Sequence, residues 1–251
     1  MIEAPSLQDY AQDGFLFCPG FVAGSALERL IAEVDRFLSE VVPTMPPELV
    51  FYEDKTNRST LKQLQQMGMY DPWFHEQFHH GPFRELAETL LRGPVVPKNL
   101  QYFNKPPGVG QPTPPHQDGY YFKLDPCEAV TMWLALEPVD AENGCVRYVR
   151  GSHHGGIREH GRTQTLGFSQ GVVDFPRPED TADEVAMPAA AGDLLAHDAL
   201  TIHRAEANAS KTRTRRALGF IYYGERARED RAAHEAYQQQ LATELKVAGK
   251  I

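Results

Sequence analysis

Near Val95 the chain stops repeating its apolar residues at helical spacing and begins a series of short, strand-like runs separated by Gly, Pro, Asn and Asp. That switch of period restricts the folds open to it, because residues three or four apart share a helix face whereas alternate residues share a strand face. Before the switch, Asp9–Tyr10 through Phe15 reads as a short helix. Leu27, Leu30, Ile31, Val34, Phe37 and Leu38 predict a longer one over Gly24–Val42, with Ser25 as N-cap. Thr60–Met69 and Pro82–Leu91 are further helix candidates. After it, VVPKNLQYFNKPPG from Val95 reads as a strand ending in a turn. Ala129–Leu136 and Cys145–Val149 read as strands joined in a hairpin through Glu142-Asn143-Gly144. Gly192-Asp193 opens another strand, LLAHDALTIH, and Arg216–Tyr223 is the last. Arg158–Met187 is polar, Pro-rich and long for a connection, as lids and disordered segments are. Glu225–Lys246 predicts a charged closing helix. The expectation is one domain over residues 1–251: mainly β, a sandwich or jelly roll with helices on one outer face. No GxGxxG follows an early strand, which argues against a dinucleotide fold.

The chain carries 34 acidic against 25 basic residues, a net charge of -9, and no Lys/Arg run longer than a pair. Nucleic acids and anionic membranes are recognised through a basic footprint, so neither is an expected partner. Cys18, Cys127 and Cys145 have no CxxC spacing, which argues against a thiolate zinc site or a disulfide framework. The N-terminal stretch has no basic segment followed by an apolar core, and no apolar run reaches the ~18 residues that cross a bilayer. A cytoplasmic protein is expected.

Chemistry concentrates at PTPPHQDGYYF. In an extended segment His116 and Asp118 point to one side, offering an imidazole and a carboxylate to a metal. A distant histidine would complete a facial triad of the kind that suits Fe(II) oxygenases, with positions left open for ligands. Alone, the pair is more often a chance His beside a turn Asp preceding Gly119.

Two later segments give it context: ENGCVRYVRGSH, and GDLLAHDALTIHRAEANASKTRTRRAL with a distal His, Asn208, Ser210 and an Arg cluster. In this order the segments closely resemble the phytanoyl-CoA dioxygenase family, from Asp13-Gly14-Phe15 to about Tyr223. The resemblance implies a cupin-like double-stranded β-helix, an Fe(II) cofactor, and 2-oxoglutarate and O2 as cosubstrates. It implies His116, Asp118 and His203 as metal ligands and Arg215, just after the NxS turn, as anchor of the cosubstrate's far carboxylate. A guanidinium can grip a carboxylate through two parallel hydrogen bonds. Lys62, Gln101 and Trp133 match further cosubstrate contacts, and Asn104 is a candidate for the same wall.

Two departures stand out. Ala205 occupies a position that is usually Ser or Gly in the family, and the spacer from His203 to the Arg is one residue longer, which makes Arg213 a rival to Arg215. Alternation places Arg215, Ala217 and Gly219 on one face. His197, six before His203, shares its parity on the predicted strand and is a rival ligand. His153 and His154 read as structural, and His75, His79, His80, His160 and His234 as surface residues. The expected reaction is hydroxylation of a small molecule, because Asp118 fills a position that is small in related halogenases; desaturation and cyclisation stay open. Lys55, Arg58, Lys105, Lys123 and Arg147 are available to an anionic substrate, and Arg162, Gln164 and Phe168 are candidate contacts from the 158–187 segment. A cupin-like metal hydrolase or isomerase, or a non-catalytic binding protein, are the alternatives.

Overall fold

A computed structural model describes residues 4–165 and 168–230, with isolated positions 232, 236 and 239. The strands, in chain order, begin with β1 (Phe15–Cys18), β2 (Val50–Tyr52), β3 (Leu61–Leu64), β4 (Val95–Phe103) and β5 (Thr113–His116). Next come β6 (Leu124–Asp125), β7 (Ala129–Ala135), β8 (Val146–Val149), β9 (His160–Thr165) and β10 (Phe168–Val172). The last are β11 (Glu184–Met187), β12 (Leu194–Asp198), β13 (His203–Ala205), β14 (Ala217–Gly224) and β15 (Arg228–Glu229). A seven-stranded sheet, ordered β1-β12-β7-β14-β4-β3-β2, faces a four-stranded sheet, ordered β11-β8-β13-β5. This is the expected jelly roll with helices on one outer face.

Both faces of the large sheet are buried, so its central strands read as almost unbroken apolar runs. Leu218, Phe220 and Tyr222 of β14, with Val130, Met132 and Leu134 of β7, pack against the helices Gly24–Arg36, Pro72–His79 and Pro82–Leu90. Phe83 stacks on Phe220 at 3.9 Å between ring centroids. The alternate residues look inward, where Trp133, Ala135, Leu195 and Ala217 join Tyr148 and Cys145 in a second core between the sheets.

Several expectations need correction. Thr60–Met69 is not one helix. Leu61–Leu64 pairs with β4, and Gln66 takes a left-handed φ of 60° before a short helix over Met67–Tyr70. The Gly24 helix starts one residue before Ser25, with Ala23 at the cap and no side-chain cap bond. Glu142-Asn143-Gly144 is a corner between sheets rather than a hairpin, since β7 and β8 lie in different sheets. The buried Asn143 side chain holds that corner by donating to Pro138 O and Thr214 O, both at 3.0 Å. LLAHDALTIH is likewise two strands. Asp198 accepts from Leu200 N at 2.8 Å in the turn that carries the chain from β12 to β13.

Residues 158–187 form neither an open loop nor a single strand. β9 and β10 make a hairpin beside β5, a helix spans Pro178–Asp183, and β11 joins the small sheet. Arg158 clasps the base of this segment through Asp174 and the buried Asp180. The predicted closing helix and His234 lie largely outside the described residues. Within them, Arg228–Glu229 pairs with β6, so the helix does not begin at Glu225, while positions 232, 236 and 239 are helical.

Candidate metal centre

β5 ends at His116, and Asp118 opens a short helix over Asp118–Phe122. The intervening Gln117 keeps an extended backbone, φ -123° and ψ 127°, so both side chains still emerge on one side. β13 pairs with β5 so that His203 stands opposite His116, with ring centroids 4.1 Å apart. The Nε2 atoms of His116 and His203 lie 3.5 and 3.8 Å from Asp118 Oδ1.

Each ring is oriented from behind. His116 Nδ1 donates to Pro114 O at 2.8 Å, and His203 Nδ1 to Thr201 O at 3.0 Å. A carbonyl only accepts, so in the neutral rings the hydrogen sits on Nδ1 and the Nε2 lone pairs face the carboxylate. Burial, followed by the neighbouring His116 and His197, holds the His203 ring well below the ordinary imidazole pKa, and therefore neutral. Burial would raise the Asp118 carboxyl, yet it lies well below the usual carboxylate range, with the His197 Nε2–H on its far oxygen among the groups that hold it there. Two lone pairs and an ionised carboxylate converging, all ligand atoms within 4.8 Å of one another, are a fit for a divalent cation that takes N and O ligands.

The rival histidine does something else. His197, on β12, faces the other oxygen of Asp118: Nε2 is 3.2 Å from Oδ2, which also accepts from Thr131 Oγ1 at 2.5 Å. It is not one of the three converging ligands. The shared-strand argument fails because the turn after Asp198 separates it from His203, although both side chains look into the interior.

Gln117, between two of the ligands and fully buried, ties three segments together. Its side-chain amide donates to Leu200 O at 2.6 Å and to Gly156 O at 2.8 Å, and its Oε1 accepts from Arg158 N at 2.8 Å. Its backbone N–H donates to His160 Nε2 at 3.1 Å. His160 is therefore buried rather than a surface residue. It stacks on Tyr120 at 4.2 Å, and burial lowers its pKa. Tyr121 hydroxyl donates to Gln170 O at 2.7 Å, closing the hairpin onto the ligand loop. His153 and His154 reach Ala11 O and Gln12 O, a structural role as expected.

The Arg cluster is sorted by the NxS turn. Asn208 donates to Lys105 O and Arg213 O while accepting from Ser210 N. That fold-back puts Arg213 outside, paired with Asp140 and Glu142, and Arg216 outside, paired with Glu137 and Asp35. Arg215 points inward and is 5% exposed, with its Nε unpartnered and its guanidinium carbon 5.3 Å from the Trp133 ring centroid. Burial pulls its pKa down to about 10. Gln101 and Trp133 flank Gly219 on neighbouring strands, so they share this inner face. A Cβ on Gly219 would come within 2.6 Å of the Phe103 ring.

Lys62 and Asn104 stand at the margin. Lys62 pairs with Glu53 at 3.1 Å, and Asn104 donates to Leu61 O while its Oδ1 stays unpartnered. Lys105 is 4% exposed and held by Gln111 O, with its pKa pushed well down by burial and then by Arg215 and Lys62. Arg147 is engaged by Glu184, and Lys123 lies over Tyr120. Arg162 is exposed, and the side chains of Gln164 and Phe168 are outside the described set. Sequence reasoning overlooked Gln117 and Thr131 as parts of the site. Thr131 carried a usable signal, since it shares strand parity with Trp133.

A sequence profile described as phytanoyl-CoA dioxygenase matches residues 10–217. A phytanoyl-CoA dioxygenase of Arabidopsis thaliana is 32% identical over 173 residues, 64% of this chain and 60% of its own. Phytanoyl-CoA dioxygenase domain-containing protein 1 of Bos taurus is 28% identical over 85% of this chain and 87% of its own. Against some of these relatives the chain spans only half to three-fifths of their length, 60% for the Arabidopsis protein and 50% for one from Danio rerio. Among solved structures, EvdO2 from Micromonospora carbonacea var. aurantiaca superposes with TM-score 0.74 at 25% identity, covering 91% of this chain and 93% of its own. The non-haem alpha-ketoglutarate-dependent carbocyclase SnoK from nogalamycin biosynthesis has the same fold, with TM-score 0.72 at 24% identity over 91% of this chain and 86% of its own. EvdO2 has been crystallised with 2-oxoglutarate. The matched residues run through the ligand loop, the distal histidine and the NxS turn, and the chain belongs to the phytanoyl-CoA dioxygenase family.

Proposed function

We propose that this protein is a non-haem Fe(II)- and 2-oxoglutarate-dependent dioxygenase acting on a small molecule, as one catalytic domain over residues 1–251. The observation that carries this reading is the pairing of two features on one interior surface. One is a His116–Asp118–His203 donor set with its imidazoles oriented by backbone carbonyls. The other is a buried, inward-facing Arg215 set against Trp133. A buried guanidinium whose Nε has no partner is costly, and a dicarboxylate's far end is a ligand that compensates it.

In this reading His116, Asp118 and His203 hold the iron, Arg215 takes the distal carboxylate, and Trp133 and Gln101 wall the cosubstrate in. Lys62, ion-paired with Glu53, and Asn104 give a polar edge near the Arg215 end, beside Lys105, whose charged form burial disfavours. Bound iron supplies the oxidation, in which 2-oxoglutarate and O2 yield succinate and carbon dioxide while one oxygen atom enters the substrate as a hydroxyl. The chain's part is to orient these groups and exclude water. Asp118, held ionised, occupies its position as a ligand, which favours hydroxylation over halide transfer. The free cysteines and the absence of a basic run fit a cytoplasmic enzyme with no nucleic-acid partner. No helix among the described residues is long and apolar enough to cross a membrane.

The test is release of succinate from 2-oxoglutarate with Fe(II) in air, against a panel of small metabolites. Substrate-dependent succinate supports the reading. Turnover that needs zinc and no 2-oxoglutarate would replace it with a hydrolase or isomerase.

A further inference from the structure

The buried cluster behind Asp118 has a role of its own. Resting on the metal-centre reading above, we propose that His197 is a positioning residue: a Tyr148–His197–Asp118 hydrogen-bond chain holds the aspartate to the metal through one oxygen only.

The donor directions follow from chemistry. Asp118 Oδ2 can only accept, so both Thr131 Oγ1 at 2.5 Å and His197 Nε2 at 3.2 Å donate to it. A ring that donates through Nε2 can accept at Nδ1, where the Tyr148 hydroxyl lies 2.9 Å away with a hydrogen to give. Tyr148 is itself packed on all sides. It is 0% exposed and stacked on Phe15, with ring centroids 4.6 Å apart and planes 14° apart. The chain also spans the barrel. Tyr148 stands opposite His203 in the small sheet, His197 opposite Phe15 and Thr131 in the large one, and Asp118 follows β5. The carboxylate is thus tethered to both sheets.

The consequence is geometric. With Oδ2 occupied by two donors, Oδ1 alone faces the His116 and His203 Nε2 atoms. Swinging Oδ2 onto the metal would break both bonds. One-point attachment leaves a coordination position free that a two-point carboxylate would occupy, and that position is needed when a chelating cosubstrate and dioxygen share the metal. Partners of this kind, set behind a ligand, are typically worth about 10- to 100-fold in metal affinity.

The experiment is anaerobic Co(II) titration of the full chain, with competition by a chromophoric chelator and no 2-oxoglutarate. His197→Phe should weaken Co(II) about 10- to 100-fold and shift the visible absorption toward the weaker bands of higher coordination. His197→Gln, which can return an N–H to Oδ2, should recover most of the affinity. Tyr148→Phe should weaken binding less, and should have no further effect in the His197→Phe background, because it acts through that ring. Unchanged affinity and spectrum in folded His197→Phe, or equal Tyr148→Phe losses in both backgrounds, overturns the proposal. Should His197→Phe not fold, His197→Asn replaces it: weaker Co(II) binding than in His197→Gln supports the chain, and equal binding overturns it. A wild-type protein that binds no Co(II) sinks the metal-centre reading itself, whereas tight wild-type binding matched by His197→Phe sinks only this inference.

Discussion

The two faces of the large sheet are made by the same strands and are equally buried, yet they do different work. On β14 the outward residues Leu218, Phe220 and Tyr222 meet helices through apolar contact, and only the Tyr222 hydroxyl needs a partner, Phe78 O at 2.9 Å. Inward, the same region of sheet presents Thr131, Trp133, His197, Gln101 and a glycine, and Arg215 enters at its end. Apolar packing is non-directional and tolerates many solutions, whereas each buried polar group on the inner face needs a specific partner. One face therefore sets stability and the other sets chemistry.

Substitutions on the two faces should separate these contributions. The largest effect is expected from His116→Ala, which removes one of the three proposed ligands. Substrate-dependent succinate release and Co(II) binding should both be lost while the thermal midpoint of the metal-free protein stays near wild type; undiminished turnover would disprove the site. Next, Phe220→Ala on the outer face opens a cavity under Phe83 and should cost about 3–5 kcal/mol in denaturant unfolding. The folded fraction should keep its metal affinity, and a matching loss of Co(II) binding would erase the division between faces.

Arg215→Ala should raise the 2-oxoglutarate concentration needed for half-maximal rate about 10- to 100-fold, as expected for hydrogen bonds to a charged group. Arg213→Ala, on the exterior, should leave it unchanged; the reverse pattern would move the anchor by one turn of the strand alternation. The smallest effect concerns pH. Burial holds His160 below the ordinary imidazole value in the folded state, so as pH falls below about 6.5 the unfolded chain takes up a proton that the folded chain resists. Stability contributed by this ring is present above that pH and declines beneath it, by at most about 1.4 kcal/mol per pH unit. His160→Gln should flatten the acid limb of the thermal midpoint against pH, and an unchanged limb would assign the loss elsewhere.

What was readable in advance divides along similar lines. Apolar period located the central strands, and the spacing of His116 and Asp118 anticipated side chains emerging together. Thr60–Met69 misled because Leu61 and Leu64 satisfy helical spacing while all four residues of β3 are buried as a strand. The hairpin at Asn143-Gly144 and the single strand through His197 and His203 failed for one reason. A turn signal marks where the chain bends but not whether the next strand returns to the same sheet. His160 reads as a surface residue yet is buried, because local polarity does not reveal burial.

The sequence by itself determined the strand periods, the residue types that can ligand a metal, and the Asn208–Ser210 turn, because these depend on neighbours a few residues apart. Only the tertiary structure decided the rest. It brought His203 beside His116 across 87 positions in a register set by strand pairing, turned Arg215 inward and Arg213 outward, and gave His197 the far oxygen of Asp118. Those assignments depend on which sheet a strand joins, and that is settled by packing over the whole barrel rather than by any local pattern.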